Sequence, residues 1–394
     1  DHPVYTLFSS GTTGLPKCMQ QGFGVFVTHS KEHRLMFDMS QADRYLQYTT
    51  TGWMMWNYHL SALSTGAALV LYEGDPLTPG PTVMYDVLEH SKATIFGTSA
   101  RYLAASSASG VVPKSTHNLS LRTVLSTGSP ASDNTFEFAS SQLRPGLQFL
   151  SVSGGTDLNG CFAGGCPILP VRDGELQVPA LGMDVAILDE EGKKLRAGDG
   201  PGELCCLQPF ASQPLQFVGD DERGSKYRAA YFDQIEGVWC HGDFAEVTHS
   251  GGLIIHGRSD ATLNPGGVRI GTADIYGVLE RVLPDMVTDS VAVGRSVRLP
   301  DGTADVEVVL FVQLREGVTL GDDEIRRIRT TIRTEASPRH VPAHVIATPA
   351  IPVTANGKKV EVAVRKALAG QEVKNRGALA NPESLDWYYG LRWD

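Results

Sequence analysis

Between residues 67 and 152 short apolar runs alternate with longer amphipathic ones, and this alternation limits the folds open to the chain. Runs at 67–72, 94–97, 123–126 and 148–152 have strand length, and 83–91, 100–107 and 134–142 between them suit helices. Apolar strands separated by helices predict an α/β fold with a doubly wound, mostly parallel sheet. Ligands in such sheets sit beyond the carboxyl ends of the strands. Thr127-Gly128-Ser129-Pro130 and Ser153-Gly154-Gly155-Thr156-Asp157 fall at such ends, and the loop after Phe8 is expected at another. Upstream, 22–38 carries Phe23, Phe26, Val27, His33, Leu35 and Met36 at loose helical spacing. Residues 45–49 read as a short strand, and Gly52-Trp53-Met54-Met55-Trp56-Asn57 opens a helix.

After Gly160 the pattern changes. Segments 174–188, 202–208, 238–248 and 252–257 alternate apolar and polar residues, with turns at 190–192 and 250–252, and predict an antiparallel, barrel-like region. A smaller α+β part follows: helices at 272–283 and 322–334, strands at 289–293, 306–313 and 343–347, a loop at 352–358 and a last helix near 360–368. The boundary is placed at Asp260, giving a large domain over 1–259 and a small, mobile C-terminal domain over 260–394.

A chain of 394 residues suits two or three domains. A formal charge of −10, with no basic run, argues against nucleic acid as a partner. No stretch of about 18 apolar residues predicts a membrane span, and the opening Asp1-His2-Pro3 shows no leader. Cys18, Cys161, Cys166, Cys205, Cys206 and Cys240 form no CxxC pair, which points away from a zinc site and towards reduced thiols in a cytoplasmic setting. Cys205 and Cys206 read as core filling within a strand.

The loop is Ser9-Ser10-Gly11-Thr12-Thr13-Gly14-Leu15-Pro16-Lys17, entered from the apolar Tyr5, Leu7 and Phe8. Its hydroxyls, its two glycines that let backbone amides turn inward, and its one lysine suit a polyphosphate. It is not a Walker loop, because two residues separate the glycines and Cys18 follows the lysine. Other short features say little singly. His241-Gly242-Asp243 reads as a hairpin turn, Arg258 and Asp260 as a surface ion pair, Gly266-Gly267-Val268-Arg269 as a turn into a helix, and Thr156-Asp157 as a helix cap.

Their order carries more. The opening loop, Thr156-Asp157, Gly202-Glu203-Leu204, Gly242-Asp243, Gly257-Arg258-Ser259-Asp260, Gly267-Val268-Arg269 and Gly357-Lys358 follow one another as in the adenylate-forming ligases, which include the acyl-CoA synthetases. The chain resembles that family from its start to about residue 368. More narrowly, 48–57, 153–157, 226–232, 259–276 and 375–383 are similar to the branch that joins acetoacetate to coenzyme A.

The resemblance implies two half-reactions. A carboxylate attacks the α-phosphate of ATP to give an acyl adenylate and pyrophosphate, and the CoA thiol then displaces AMP. By the same resemblance Ser9, Ser10, Gly11, Thr12, Thr13, Gly14 and Lys17 would hold the β- and γ-phosphates, and Thr156 the α-phosphate. Asp157 would help hold Mg²⁺, a hard cation that takes oxygen ligands. Asp243 and Arg258 would contact the ribose, Arg269 a phosphate, and Gly128, Ser129 and Pro130 the adenine. Lys358 would swing in for adenylation about a hinge at Asp260, and Gly267 would line the pantetheine tunnel.

Acyl choice is expected from Trp53, Met54, Met55, Thr127 and Gly154. Acetyl-CoA synthetases carry a tryptophan at the position of Gly154, and its loss would open room for a β-keto acid. Met54 and Met55 read equally well as plain core. Gln21 stands where relatives usually carry histidine, and the resemblance implies that further residues precede the phosphate loop in full-length relatives, so that a partner chain or missing N-terminal portion would complete the site. Two alternatives stay open: the same chemistry on another short acid such as 3-hydroxybutyrate, and a non-catalytic nucleotide-binding fragment. The aromatic stretch 386–394 reads as a docking tail or a frayed end.

Overall fold

The parallel sheet is present in the computed structural model, which describes residues 2–9, 17–298, 304–355 and 357–391. Its five strands lie in the order Ala68–Val70, Arg44–Gln47, Ile95–Ser99, Thr123–Thr127 and Gln148–Ser151, and every neighbouring pair is parallel. Leu46, Phe96, Val124 and Phe149 pack with Leu88 of the helix Val83–Ser91 and Leu103 of the helix Ala100–Ala108. Truncating a buried leucine such as Leu103 to alanine costs about 2–5 kcal/mol in such a core. The helix Ala100–Ala108 starts where it does because Ser99 Oγ accepts the Tyr102 amide at 3.1 Å.

The amino ends of three of these strands are locked together. Asp43, Thr94 and Arg122 each immediately precede a strand. Arg122 donates Nε and Nη2 to the two oxygens of Asp43 at 2.8 and 2.9 Å, and the Thr94 hydroxyl adds a third bond at 2.8 Å. Burial pushes the Asp43 carboxyl up, but the Arg122 guanidinium and the other donors outweigh it and hold it below the usual range. This bracing keeps the edge opposite the strands' carboxyl ends rigid.

The expectation for the opening loop needs correction. Pro3–Phe8 pairs antiparallel with Cys18–Gly22, and Gln216–Phe217 adds a third strand to that small sheet. The loop therefore joins a hairpin, not a parallel strand to its helix, and the strand Cys18–Gly22 was not expected from so polar a run. The helix expected over 22–38 begins at Gly24 and runs through Lys31 into a π-helical turn, Glu32–Met36. A second hairpin, Ser153–Gly155 with Gly160–Gly164, follows the last parallel strand. The antiparallel region expected after Gly160 is present, with sheet order Val185–Leu188, Gly202–Cys206, Trp239–Val247, Leu253–Arg258. Cys205 and Cys206 are buried in it.

The described residues fall into two compact units. The first holds 2–9, 17–241 and 245–254; the second holds 242–244 and the chain from Ile255 onward. In the second unit Val287–Arg298 pairs antiparallel with Ala304–Leu314, which pairs parallel with His344–Ala347. Successive residues alternate between its two faces. Ala292, Val308, Leu310 and Val312 pack towards the helices Thr272–Val282 and Asp322–Glu335, while Val291, Val293, Val309 and Phe311 pack towards Glu361–Leu368. Asp322–Glu335 opens with three acidic residues, and Glu324 accepts the Gly321 amide at 3.0 Å, which suits a helix N-terminus.

The C-terminal aromatics are not a tail over their described part. Ser384–Tyr389 is a helix whose Leu385 and Tyr388 are fully buried, and the Tyr388 hydroxyl donates to Ala350 O at 3.0 Å. Residues 392–394 lie outside the described residues.

Candidate active site

In the first unit the turn 156–159 links the strands Ser153–Gly155 and Gly160–Gly164, so Thr156 and Asp157 stand at a hairpin tip and not at a helix cap. Gln21, fully buried on the strand Cys18–Gly22, donates Nε2 to both backbone carbonyls, to Asp157 O at 2.8 Å and Thr156 O at 3.3 Å. On the other flank His29 places Nε2 at 2.7 Å from Asn159 O, while Glu32 Oε1 accepts the Cys161 amide at 3.2 Å. Asn159 itself sits at φ 44°, the left-handed region that a tight turn requires.

The side chain of Asp157 is held through one oxygen. Lys17 Nζ lies 3.1 Å from Oδ1, and the Tyr231 hydroxyl donates to the same atom. Lys17 is itself seated 4.7 Å over the Tyr231 ring, which stacks on Trp239 at 3.7 Å. Burial pushes the Asp157 carboxyl up, but Lys17, His241 and Tyr231 together hold it below the ordinary aspartate range. Among the described residues, neither Oδ2 of Asp157 nor the Thr156 hydroxyl makes a hydrogen bond. The backbone of the turn and one carboxylate oxygen are thus fixed by contacts of Gln21, Lys17 and Tyr231.

Of the opening loop, Ser9 and Lys17 are described and 10–16 are not, so Ser10, Gly11, Thr12, Thr13 and Gly14 lie outside the described residues. Ser9 and Lys17 close the hairpin: the Ser9 amide donates to Lys17 O at 3.0 Å, and Ser9 Oγ accepts the Lys17 amide at 3.1 Å. Thr127 and Gly128 end a parallel strand as expected, with the Thr127 hydroxyl bonded to Val152 O at 3.0 Å. A Cβ on Gly128, whose φ is +95°, would lie 3.7 Å from the Trp53 ring, which brings those two positions together. Ser129 and Pro130 continue the exposed turn. Met54 is buried, while Trp53 and Met55 are half-buried at the start of the helix Met54–Ser61.

The reason given for Gly154 is overturned. A Cβ there would lie 2.0 Å from Gly160 O and 2.6 Å from the Cys161 Cα. Glycine is required because two strands approach closely, so its absent side chain points at backbone and not into space for an acyl group.

In the second unit Arg258 Nη1 lies 3.0 Å from Asp243 Oδ1, and its Nε lies 3.8 Å from Asp260. Gly242 must lack a side chain, since a Cβ would stand 2.6 Å from the Arg258 guanidinium and φ is +81°. Asp243 is buried, whereas Arg258 is half-exposed. Arg269 lies 4.5 Å over the Phe244 ring and donates to Thr262 Oγ1 at 2.9 Å and Ser259 O at 3.0 Å. It therefore ties the 3₁₀ turn Ser259–Ala261, which contains Asp260, to the residue next to Asp243. Gly267 ends the 3₁₀ turn Pro265–Gly267.

Lys358 sits on a second-unit hairpin. Lys359 pairs with Val353, the Thr354 amide donates to Lys358 O at 2.8 Å, and the Lys358 amide donates to Thr354 Oγ1 at 3.1 Å.

Among the described residues no group of three or more histidines, cysteines or acids could hold a metal alone. The donor set does fit a Mg²⁺ that is bound mainly by phosphate oxygens, since such sites need one or two carboxylates and Asp157 is an ionised acid with one oxygen uncommitted. Sequence reasoning missed Gln21 as a contact, and it missed Tyr231 and His241. Tyr231 lay inside a quoted motif, yet aromatic residues near a helix end read as core. His241 preceded Gly242-Asp243, and its ring lies within 3.1 Å of where a Cβ on Gly155 would stand.

The parallel sheet with its flanking helices, and the antiparallel sheets that follow it, define the chain as an α/β protein. Residues 1–213 match the AMP-binding enzyme family, and the chain belongs to it. The chain is similar to the acetoacetyl-coenzyme A synthetase of Rhizobium meliloti (strain 1021), at 50% identity over 99% of this chain and 59% of that one. It is 47% identical to the acetoacetyl-CoA synthetase of Mus musculus over 98% of this chain and 57% of that one. Among solved structures, acetoacetyl-CoA synthetase from Streptomyces lividans superposes with a TM-score of 0.90 at 43% identity, covering 98% of this chain and 59% of that chain. An anthranilate CoA ligase bound to anthranoyl-AMP shares the fold, with a TM-score of 0.76 at 21% identity over 92% of this chain and 66% of that chain. The chain spans somewhat over half the length of the acetoacetyl-CoA synthetases it matches.

Proposed function

We propose that the chain takes part in ATP-dependent ligation of acetoacetate to coenzyme A through an acyl adenylate. The observation that carries this reading is the turn 156–159, whose backbone and one carboxylate oxygen are pinned while, among the described residues, the Thr156 hydroxyl and Asp157 Oδ2 make no hydrogen bond. Adenylation is a transfer in which positioning and charge neutralisation do most of the work. A fixed turn with uncommitted oxygens suits both tasks.

In this reading the opening loop and Lys17 hold the departing pyrophosphate, and Thr156 orients the α-phosphate. Asp157 holds Mg²⁺, which when bound neutralises phosphate charge. Asp243 accepts from the ribose hydroxyls, a task for two carboxylate oxygens, with Arg258 fixing its orientation. Gly128, Ser129 and Pro130 border adenine, Arg269 meets a phosphate, and Lys358 stabilises charge as the carboxylate attacks. The small part, from Asp260 on, turns between half-reactions, and Gly267 leaves passage for pantetheine. The acyl assignment rests on the relatives and no longer on Gly154.

The test is acetoacetate-dependent exchange of pyrophosphate into ATP. It should be run on the 394-residue chain alone and fused to the part of the Rhizobium meliloti relative with which this chain does not align. Exchange with acetoacetate, lost in Lys358→Ala while supplied acyl adenylate still yields thioester, is the expected result. Faster exchange with 3-hydroxybutyrate would reassign the acid. ATP binding without exchange in either form would leave a nucleotide-binding fragment.

A further inference from the structure

The motif at 357–359 ends in two adjacent lysines, and the second of them has a defined seat. Lys359 Nζ lies 2.7 Å from Asp289 Oδ1 and 4.0 Å above the Tyr276 ring. Both partners are fixed in turn. The Ser290 amide donates to Asp289 Oδ1 at 2.8 Å. The Tyr276 hydroxyl accepts the Ala292 amide at 3.0 Å and donates to Glu361 Oε1 at 3.1 Å. Asp289 and Ala292 belong to the strand Val287–Arg298, Tyr276 to the helix Thr272–Val282, and Glu361 opens the helix Glu361–Leu368. The ammonium of Lys359 is thus gripped by an acid and an aromatic face that are themselves bolted to three elements of one unit. Its side chain is 19% exposed, and that of Asp289 15%, so water screens the pair only in part.

The hairpin sets the consequence for its neighbour. Lys359 lies opposite Val353, and successive side chains of an extended arm point to opposite faces. Gly357, at φ +76°, makes the turn, and its amide bonds Thr354 O at 2.8 Å. We propose that Lys359, Asp289 and Tyr276 form a positioning clamp that fixes the arm and so presents Lys358 on the opposite face, with Lys359 acting as anchor and Lys358 as the reacting-site lysine. This rests on the reading of Lys358 given above. A long, flexible lysine gains from such a mount, because misplacement of a catalytic group by about 1 Å can cost about a hundredfold in rate.

Two measurements separate the clamp from that reading. The first needs no activity: the full chain and its Asp289→Asn variant are treated with limiting acetic anhydride, and labelling of Lys359 is compared between them by peptide mass spectrometry. Lys359 should acetylate several-fold faster in Asp289→Asn, because the carboxylate that holds its ammonium is gone. No change in Lys359 labelling between the two forms overturns the clamp. The second compares half-reactions in a form that exchanges pyrophosphate. Lys359→Met should lower adenylation about tenfold to a hundredfold, leave thioester formation from supplied adenylate near its starting rate, and be rescued by Lys359→Arg. Equal loss in both half-reactions, or none, overturns the positioning role. A chain in which Asp289→Asn unmasks Lys359 but which shows no adenylation in any form keeps the clamp and discards the proposed function.

Discussion

At Asp157 two needs compete for one side chain. Its Oδ1 neutralises Lys17 and accepts from Tyr231, yet the proposed chemistry wants the carboxylate for a metal. The two needs fall on different oxygens: Oδ1 takes Lys17 and Tyr231, and among the described residues Oδ2 makes no hydrogen bond. Asp157→Asn keeps the shape and an acceptor but removes the charge. The Lys17 side chain is 37% exposed, so water screens much of the ion pair. The stability cost should stay near about 1 kcal/mol, read from the denaturant midpoint. Binding of MgATP should suffer more. Changes to outer partners of a metal already cost about 10–100-fold in affinity, so losing the ligand's own charge should cost at least as much by calorimetry. Gly154 makes the opposite kind of case. With Gly160 O only 2.0 Å from any Cβ, Gly154→Ala must shift a strand, and overpacking of this kind costs about 1–3 kcal/mol. A lowered melting temperature with unaltered preference among short acids is the expected outcome; an altered preference at full stability would return Gly154 to the acyl pocket.

Among elements, the turn 156–159 owes its shape to two neighbours that meet it from different sides. Gln21→Ala would take the shared donor from two half-buried carbonyls, a loss of about 0.5–1.5 kcal/mol. Because the same bonds set the turn, adenylation should fall more steeply than stability. Gln21→Leu should fail as well, since its side chain cannot donate. Retention of exchange in Gln21→Ala would show the turn to be self-supporting. This pairing was hard to read in the sequence. The alternation at 67–152 and the helices near 272–283 and 322–334 were legible because each repeats its period over many residues. The strands Cys18–Gly22, Ser153–Gly155 and Gly160–Gly164 are short, polar or glycine-rich, and their pairing depends on partners distant in the chain. The order of short motifs pointed to Thr156 and Asp157. It could not reveal Gln21, Tyr231 or His29, whose roles come from contacts 74 to 136 residues away along the chain. The last helix was misread for a related reason: its burial of Leu385 and Tyr388 needs a sheet laid down about a hundred residues earlier.

At the scale of the molecule the two units carry different acid sensitivities. The helix that leads from the phosphate-loop hairpin buries His29 and His33 completely. Burial lowers His29 to about 4 and His33 to about 3, so both are neutral when folded at neutral pH. In the unfolded chain each would titrate near about 6.5. The sign follows from proton counting. Below about pH 6.5 the unfolded state binds protons that the folded state refuses, so their contribution is complete above that pH and is lost as pH falls towards 4 and 3. Each histidine approaches a slope of about 1.4 kcal/mol per pH unit below its unfolded value, and the pair should remove roughly 3 kcal/mol between about pH 6.5 and 5. That is a large share of a typical folding free energy of about 5–15 kcal/mol. In the second unit burial raises Asp274, but His256 and His340 hold it below the usual carboxylate range, so its contribution is lost only below about pH 3.9. Mild acid should therefore open the first unit before the second. Pepsin at about pH 4.5 should cut within 17–241 while a fragment from near Ile255 survives. Replacing both histidines by glutamine should flatten the fall in denaturant midpoint between pH 7 and 5, whatever it does to the absolute stability. An unchanged slope in that double variant would place the acid sensitivity in other groups.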